Sequence, residues 1–361
     1  MPKRIPKAAL MTAAISLVLI VIGGFFWIEN IFYKTNTALN DYTTWGIAIV
    51  AFLFLEALTA GSLIAAGFTK EPALRMKLAA FGVAAGLGAT TIILADLGSP
   101  FNSLALFLTP EVFVPMKLDV IFLSIAIVGG TLFFFLVHAE KEKAANILGK
   151  ALVAVCVMLL MGTTLMFTSL TGKLAWHSTL EIATAVASAV LAGACIALLL
   201  KKTDKPIILT AITALLIIIG IMLADVAQAL FTSTSAESAS FFEMLAGPHA
   251  VLFGLWVVLF LIVPLTLFVT RKQLGLAATL SVVGIFISKY LFITKGNQLV
   301  FESHASHLQI PYLGTGASGL VTAPLYVPTL QECLVVVGSI AVVGLIVALA
   351  WTLFFRTDTE I

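Results

Sequence analysis

Residues 45–68 read Trp45-Gly-Ile-Ala-Ile-Val-Ala-Phe-Leu-Phe-Leu-Glu56-Ala-Leu-Thr-Ala-Gly-Ser-Leu-Ile-Ala-Ala-Gly-Phe68, a run with one charge and no polar face. A helix on the surface of a soluble protein keeps a polar stripe, and one that is apolar all round belongs in a large core or a bilayer. At ~1.5 Å per residue this run is long enough to cross a ~30 Å hydrocarbon layer. Its single ionisable residue, Glu56, lies ~16 Å below Trp45, near the midplane. A carboxylate at that depth is expensive and is usually kept for a site, a relay or an ion path.

The pattern repeats along the chain. Apolar spans are expected at about residues 8–29, 45–68, 77–97, 117–138, 147–168, 177–200, 207–231, 247–270, 274–293 and 331–355. The composition agrees: 61% hydrophobic and 11% charged, against about 25% charged in soluble domains. The first span is too long, and its outer flank (Trp27, Glu29, Asn30) too bulky, for a cleaved signal peptide, so it is read as retained. Alternate connections hold Lys3, Arg4, Lys7, then Lys70, Arg75, Lys77, then Lys141, Lys143, Lys150, then Lys201, Lys202, Lys205, then Arg271, Lys272, and finally Arg356: 15 of the 20 basic residues. The other side has Lys34, Lys117, Lys173, Lys289 and Lys295. The positive-inside rule then puts both termini in the cytoplasm and the chain in a plasma (inner) membrane.

The reading is therefore an all-α integral membrane protein of about ten transmembrane helices. It divides into an N-terminal extra helix and outer loop (1–44), an eight-helix core (45–293), and an outer loop with a C-terminal helix (294–361). The net charge of +2 is a topology signal and carries no implication of nucleic acid. Cys156, Cys195 and Cys333 are isolated, with no CxxC or CxxCH, so no iron–sulfur cluster or covalent haem is expected on this chain.

The costly residues gather on one side of the midplane. Asp96 ends the third span and Asp119 begins the fourth; His177 opens the sixth, with Glu181 one turn deeper. Asp225 lies in the outer third of the seventh span, His249 opens the eighth, Lys289 sits a turn from the end of the ninth, and Glu332 opens the tenth. Asp96, His177, His249 and Glu332 lie close enough to helix ends to be caps as readily as site residues. Lys289 has an equally plain role as counter-charge to a buried acid. His304 and His307 make an HxxH pair in the outer loop, a weak metal signal. Gly82, Gly86 and Gly88 suggest close helix contacts.

Carboxylates and histidines near one membrane face suit a hydrophobic redox carrier. A quinone head group needs hydrogen-bonding partners at its carbonyls and groups that exchange protons with it. Asp96, Asp119 and His177 are the candidate quinone contacts; Glu56, Glu181, Asp225, His249 and Lys289 are the candidate proton path. Composition and periodicity alone equally allow an ion-coupled secondary transporter, although no repeat between halves stands out. A b-type cytochrome is the weaker alternative, since only His177 and His249 share a depth.

Several segments, in order, resemble the NrfD-like membrane subunits of polysulfide, tetrathionate and related respiratory reductases. They are Trp45-Gly46 opening a span that runs to Ala60-Gly61; Asp96-Leu97-Gly98-Ser99-Pro100; Pro115-Met116-Lys117-Leu118-Asp119; Trp176-His177-Ser178-Thr179; Gly247-Pro248-His249 leading to Pro264; and Tyr326-Val327-Pro328-Thr329-Leu330-Gln331-Glu332. The resemblance implies two four-helix bundles with one extra helix at each end. It also implies a quinone-reactive subunit, using menaquinone or another quinone, docked to an iron–sulfur electron-transfer subunit and through it to a molybdenum-type catalytic subunit. Asp96 and Asp119 are its best quinone positions. The chain departs from the family pattern at Ser99, where Arg is usual, and at Leu118, where Trp is usual.

Overall fold

The computed structural model describes residues 7–33, 37–40, 43–97, 100–108, 110, 113–170, 173–176, 180–200, 203–231, 241, 244–301, 320–322 and 325–355. Among them are ten helices long and apolar enough to cross a membrane: α1 Lys7–Tyr33, α2 Ile47–Phe68, α3 Pro72–Asp96, α4 Pro115–His138, α5 Glu142–Thr168, α6 Leu180–Leu199, α7 Lys205–Phe231, α8 Ala250–Thr270, α9 Leu274–Gln298 and α10 Leu330–Phe354. Most run past their expected ends, because backbone leaving the apolar layer goes on satisfying its own hydrogen bonds as helix. The largest extensions are five residues each, at the start of α3, the start of α5 and the end of α9, which takes Lys295 into the helix. One short antiparallel pair, β1 Leu299–Phe301 with β2 Leu320–Thr322, was not expected from sequence.

Helix ends follow local chemistry. Pro72 and Pro115 stand in the first turns of α3 and α4, where a missing N–H costs nothing. Thr329 and Glu332 form a reciprocal capping box on α10, with Glu332 N donating to Thr329 Oγ1 at 3.2 Å and Thr329 N donating to Glu332 Oε2 at 2.8 Å. Arg271, in the left-handed region at φ 55°, turns the chain out of α8. Within α8, residues Trp256–Ile262 widen into a π-helical turn just ahead of Pro264, whose ring and absent N–H disturb the regular ladder there.

Helices α2, α3, α4 and α5 close into one four-helix ring and α6, α7, α8 and α9 into a second. Helix α2 is the axis of the molecule: it packs on α3, α5, α6 and α9, and most of its length is buried. Helix α10 lies against α3 and α1 against α10, with Gly23 facing Gly338, and a Cβ added to Gly88 of α3 would lie 2.6 Å from Val343 of α10. Gly82 and Gly86 likewise admit Leu63 and Ile127, as the sequence suggested. A close backbone-to-backbone contact joins the two rings. A Cβ on Gly61 would lie 2.0 Å from the Ala189 carbonyl oxygen, and one on Gly193 would lie 2.1 Å from the Gly61 carbonyl oxygen. The exchange is reciprocal and falls on matching segments, Ala60-Gly-Ser-Leu-Ile-Ala65 and Ala192-Gly-Ala-Cys-Ile-Ala197.

Candidate functional site

Three elements of the first ring converge on one hydroxyl. Glu56 of α2, Asp119 of α4 and Thr163 of α5 are all buried. Thr163 Oγ1 lies 2.5 Å from Glu56 Oε1, 2.6 Å from Asp119 Oδ1 and 3.1 Å from the Leu159 carbonyl oxygen of its own helix. A hydroxyl has one hydrogen to donate. It can serve one carboxylate; the other carboxyl must bring its own proton and donate to Oγ1. The geometry therefore requires at least one protonated carboxyl in the pair, bound through short oxygen–oxygen contacts.

Lys289 of α9 links this triad to the second ring. It is buried and electrostatically faces both Glu56 and Glu181. A cavity of about 20 Å³ is bounded by Glu56, Thr163, Glu181, Lys289 and Phe292. A larger one, about 90 Å³, lies among α6–α9 and is lined by Glu181, Asp225, Lys289, Lys295 and Trp256, among others. Glu181, Lys289 and Phe292 border both. One water needs roughly 10–15 Å³ of such volume, so the first space has room for a single water and the second for several. Ser281 Oγ, buried beside Cys195, lines the larger cavity and can hydrogen-bond to them. The arrangement is a line of protonatable groups crossing from one helical ring to the other.

Aromatic side chains cover the triad towards the lysine-poor face. Trp45 and Trp176 stack with ring centres 5.2 Å apart, and Phe167 meets Trp45, Trp176 and Phe292 edge-on at 4.6, 5.2 and 5.1 Å. Trp176 Nε1 donates to the Phe292 carbonyl oxygen at 2.9 Å. Gly296 makes this possible, since a Cβ there would sit 1.9 Å from the indole. Behind them Lys173 Nζ lies 5.9 Å from the Trp176 ring, and burial pushes its ammonium down to about 8.

A second network stands apart from the triad. Tyr326 OH accepts from Ile47 N at 2.8 Å and donates to Glu332 Oε2 at 3.2 Å, and Ala38 N donates to Glu332 Oε1 at 3.2 Å. Burial raises the Tyr326 phenol, so it stays a donor. Gly46 leaves room for that phenol, whose oxygen would lie 2.4 Å from an added Cβ. Glu332 is thus the cap that its position suggested. Asp96, half-buried at the last residue of α3, electrostatically faces Glu332 and not the triad. His249 is buried beside Tyr290, ring centres 6.1 Å apart, and does not line the cavity.

Of the residues singled out from sequence, Glu56, Glu181, Asp225 and Lys289 line the two cavities and Asp119 joins them through the Thr163 hydroxyl, whereas Asp96 and His249 belong to the Glu332 side. His177, His304 and His307 lie outside the described residues. Thr163 was missed: a threonine in an apolar span is commonplace, and only its two carboxylate neighbours give it meaning. All four described lysines of the lysine-poor side are buried, Lys117 at 5% exposure, Lys173 at 7%, Lys289 and Lys295 at 8% each. They are therefore interior charges and not topological ones. The sequence, compared with protein-family models and with curated proteins, matches none.

Proposed function

We propose that this multi-pass membrane protein is the quinone-reactive subunit of a respiratory oxidoreductase complex. It exchanges electrons with an iron–sulfur partner subunit and protons through Glu56, Asp119, Glu181 and Lys289. The observation that carries the reading is the Thr163 hydroxyl shared by two buried carboxyls, one of them necessarily protonated. Quinone reduction and quinol oxidation each move two protons with two electrons, and a carboxyl that already holds a proton next to one that accepts it is suited to that exchange. The NrfD-like segments supply the redox half of the proposal. They assign the quinone to the end bearing Asp96 and Asp119, with His177 as a third contact. The line from the triad through Lys289 to the larger cavity supplies the proton half.

The test is quinol-linked turnover by the complex purified from its native membrane. Asp119→Asn and Glu56→Gln are each expected to lower it by about 10²-fold or more, the scale of lost acid–base catalysis, while the iron–sulfur partner still co-purifies. Full turnover in both variants would sink the reading. One feature favours a second reading, an ion-coupled transporter: the reciprocal Gly61–Gly193 seam joins two like bundles with a charged site beside it, as in transporters built from paired repeats. Solute uptake by the chain alone in liposomes, abolished by Lys289→Met, would establish that alternative.

A further inference from the structure

The small cavity lies where the two helical rings meet, and its size limits what can cross there. Its walls include Glu56 of α2, Thr163 and Thr164 of α5, Glu181 and Ala185 of α6, and Lys289 of α9. At about 20 Å³ it has room for a single water. A metal cation that keeps even one water of its shell does not fit. A proton needs no such room, because it passes by exchange of hydrogens within one water.

Two adjacent threonines face this space with different hydrogen-bonding capacity. Thr163 Oγ1 is already engaged by Glu56, Asp119 and the Leu159 carbonyl oxygen. Thr164 is buried, and its Oγ1 donates its only hydrogen to the Leu160 carbonyl oxygen at 2.7 Å. Towards a water in the cavity Thr164 can therefore only accept. A water that gives one hydrogen to Thr164 Oγ1 keeps its second hydrogen and its lone pairs for the carboxyls on either side. It can take the proton of Glu56 while passing that second hydrogen to Glu181. The Glu56 O–H bond breaks, a Glu181 O–H bond forms, and the relay is left as water. Lys289, on the same wall, can donate to whichever carboxylate has lost its proton. We propose that a single water positioned by Thr164 is the proton relay between the two rings, in a passage that excludes metal cations. The proposal rests on the proton path given under the proposed function, and Thr164 enters it as a positioning residue.

The test reads proton exchange without quinone. The protein, purified from its native membrane with the companions it keeps, is mixed with D2O. Infrared difference spectra against Glu56→Gln/Asp119→Asn then follow the rate at which the buried carboxylic C=O band shifts. Thr164→Val removes the hydroxyl and nearly keeps the volume, and Ala185→Val fills the cavity. Each is expected to slow the shift by about 10²-fold, the scale of a lost proton-transfer group. Thr164→Ser should restore the wild-type rate, which a packing role for the threonine methyl would not predict. An unchanged rate in Thr164→Val and Ala185→Val, or a wild-type spectrum without the band, would overturn the relay even if quinol turnover depends on Glu56. Slowed exchange alongside full quinol turnover would uphold the relay and sink the quinone reading instead. Replacing sodium by choline in the buffer should leave the rate unchanged; a rate that requires sodium would overturn the exclusion of metal cations.

Discussion

The Thr163 hydroxyl sets the chemistry of its neighbours by arithmetic: one hydrogen, two carboxyls at 2.5 and 2.6 Å. Infrared spectra at neutral pH should show a carboxylic C=O band that shifts in D2O and disappears in Glu56→Gln/Asp119→Asn. A wild-type spectrum identical to that of the double variant would mean both acids are ionised. Thr163→Val should destabilise by about 1–3 kcal/mol, because it strands buried polar groups, and Thr163→Ser should restore most of the loss in a thermal melt. Lys173 offers a separate test. Its folded value of about 8 lies below the ordinary 10.5, so between those values the unfolded chain binds more protons and stability rises with pH. A change in Trp176 fluorescence with a midpoint near pH 8, absent in Lys173→Met, is the expected signature.

At the scale of elements, glycine decides how closely helices approach. Gly61 and Gly193 each occupy space that a methyl group would have to share with backbone of the other helix, which has no rotamer to yield. Gly193→Val should cost well over the ~1–3 kcal/mol of ordinary overpacking and reduce the yield of monodisperse protein on a sizing column. Gly220→Ala is the control: nothing lies within 4 Å of its added Cβ, and alanine should stabilise α7 by roughly 0.5–1 kcal/mol. The glycines of α3 were legible in sequence because three crowd into two turns. The pair that joins the bundles was not, since Gly61 and Gly193 are 132 positions apart and each looks ordinary alone.

For the whole molecule, ten antiparallel helices return α1 and α10 to the side that carries the basic turns. In a Cys333→Ser background, whose remaining thiols Cys156 and Cys195 are buried, Lys70→Cys and Lys141→Cys should react with an impermeant maleimide only after the cells are opened. Phe113→Cys, highly exposed on the other side, should react in intact cells; the reverse pattern would invert the topology. Lys289→Met belongs to this scale too, because Lys289 borders both the triad's cavity and the second ring's. On the quinone-reactive function proposed above, it should leave assembly intact while cutting proton-coupled turnover severalfold or more, measured as alkalinisation or acidification per quinol in proteoliposomes.

Span number, approximate span ends and the asymmetry of basic residues were determined by the sequence itself, because the cost of polar groups in hydrocarbon acts on each residue locally and leaves its mark on composition. The same cost marked Glu56, Asp119, Glu181, Asp225 and Lys289 as residues needing a reason to be where they are. Which of them meet was decided only in three dimensions. Asp96 and Asp119 look equivalent along the chain, yet one faces the Glu332 cap and the other shares a hydroxyl with Glu56. Thr163, silent in sequence, stands at the centre because a hydrogen bond depends on oxygen positions set by three helices at once. Tertiary packing sets those positions, and no single helix encodes the rotation and depth of its neighbours.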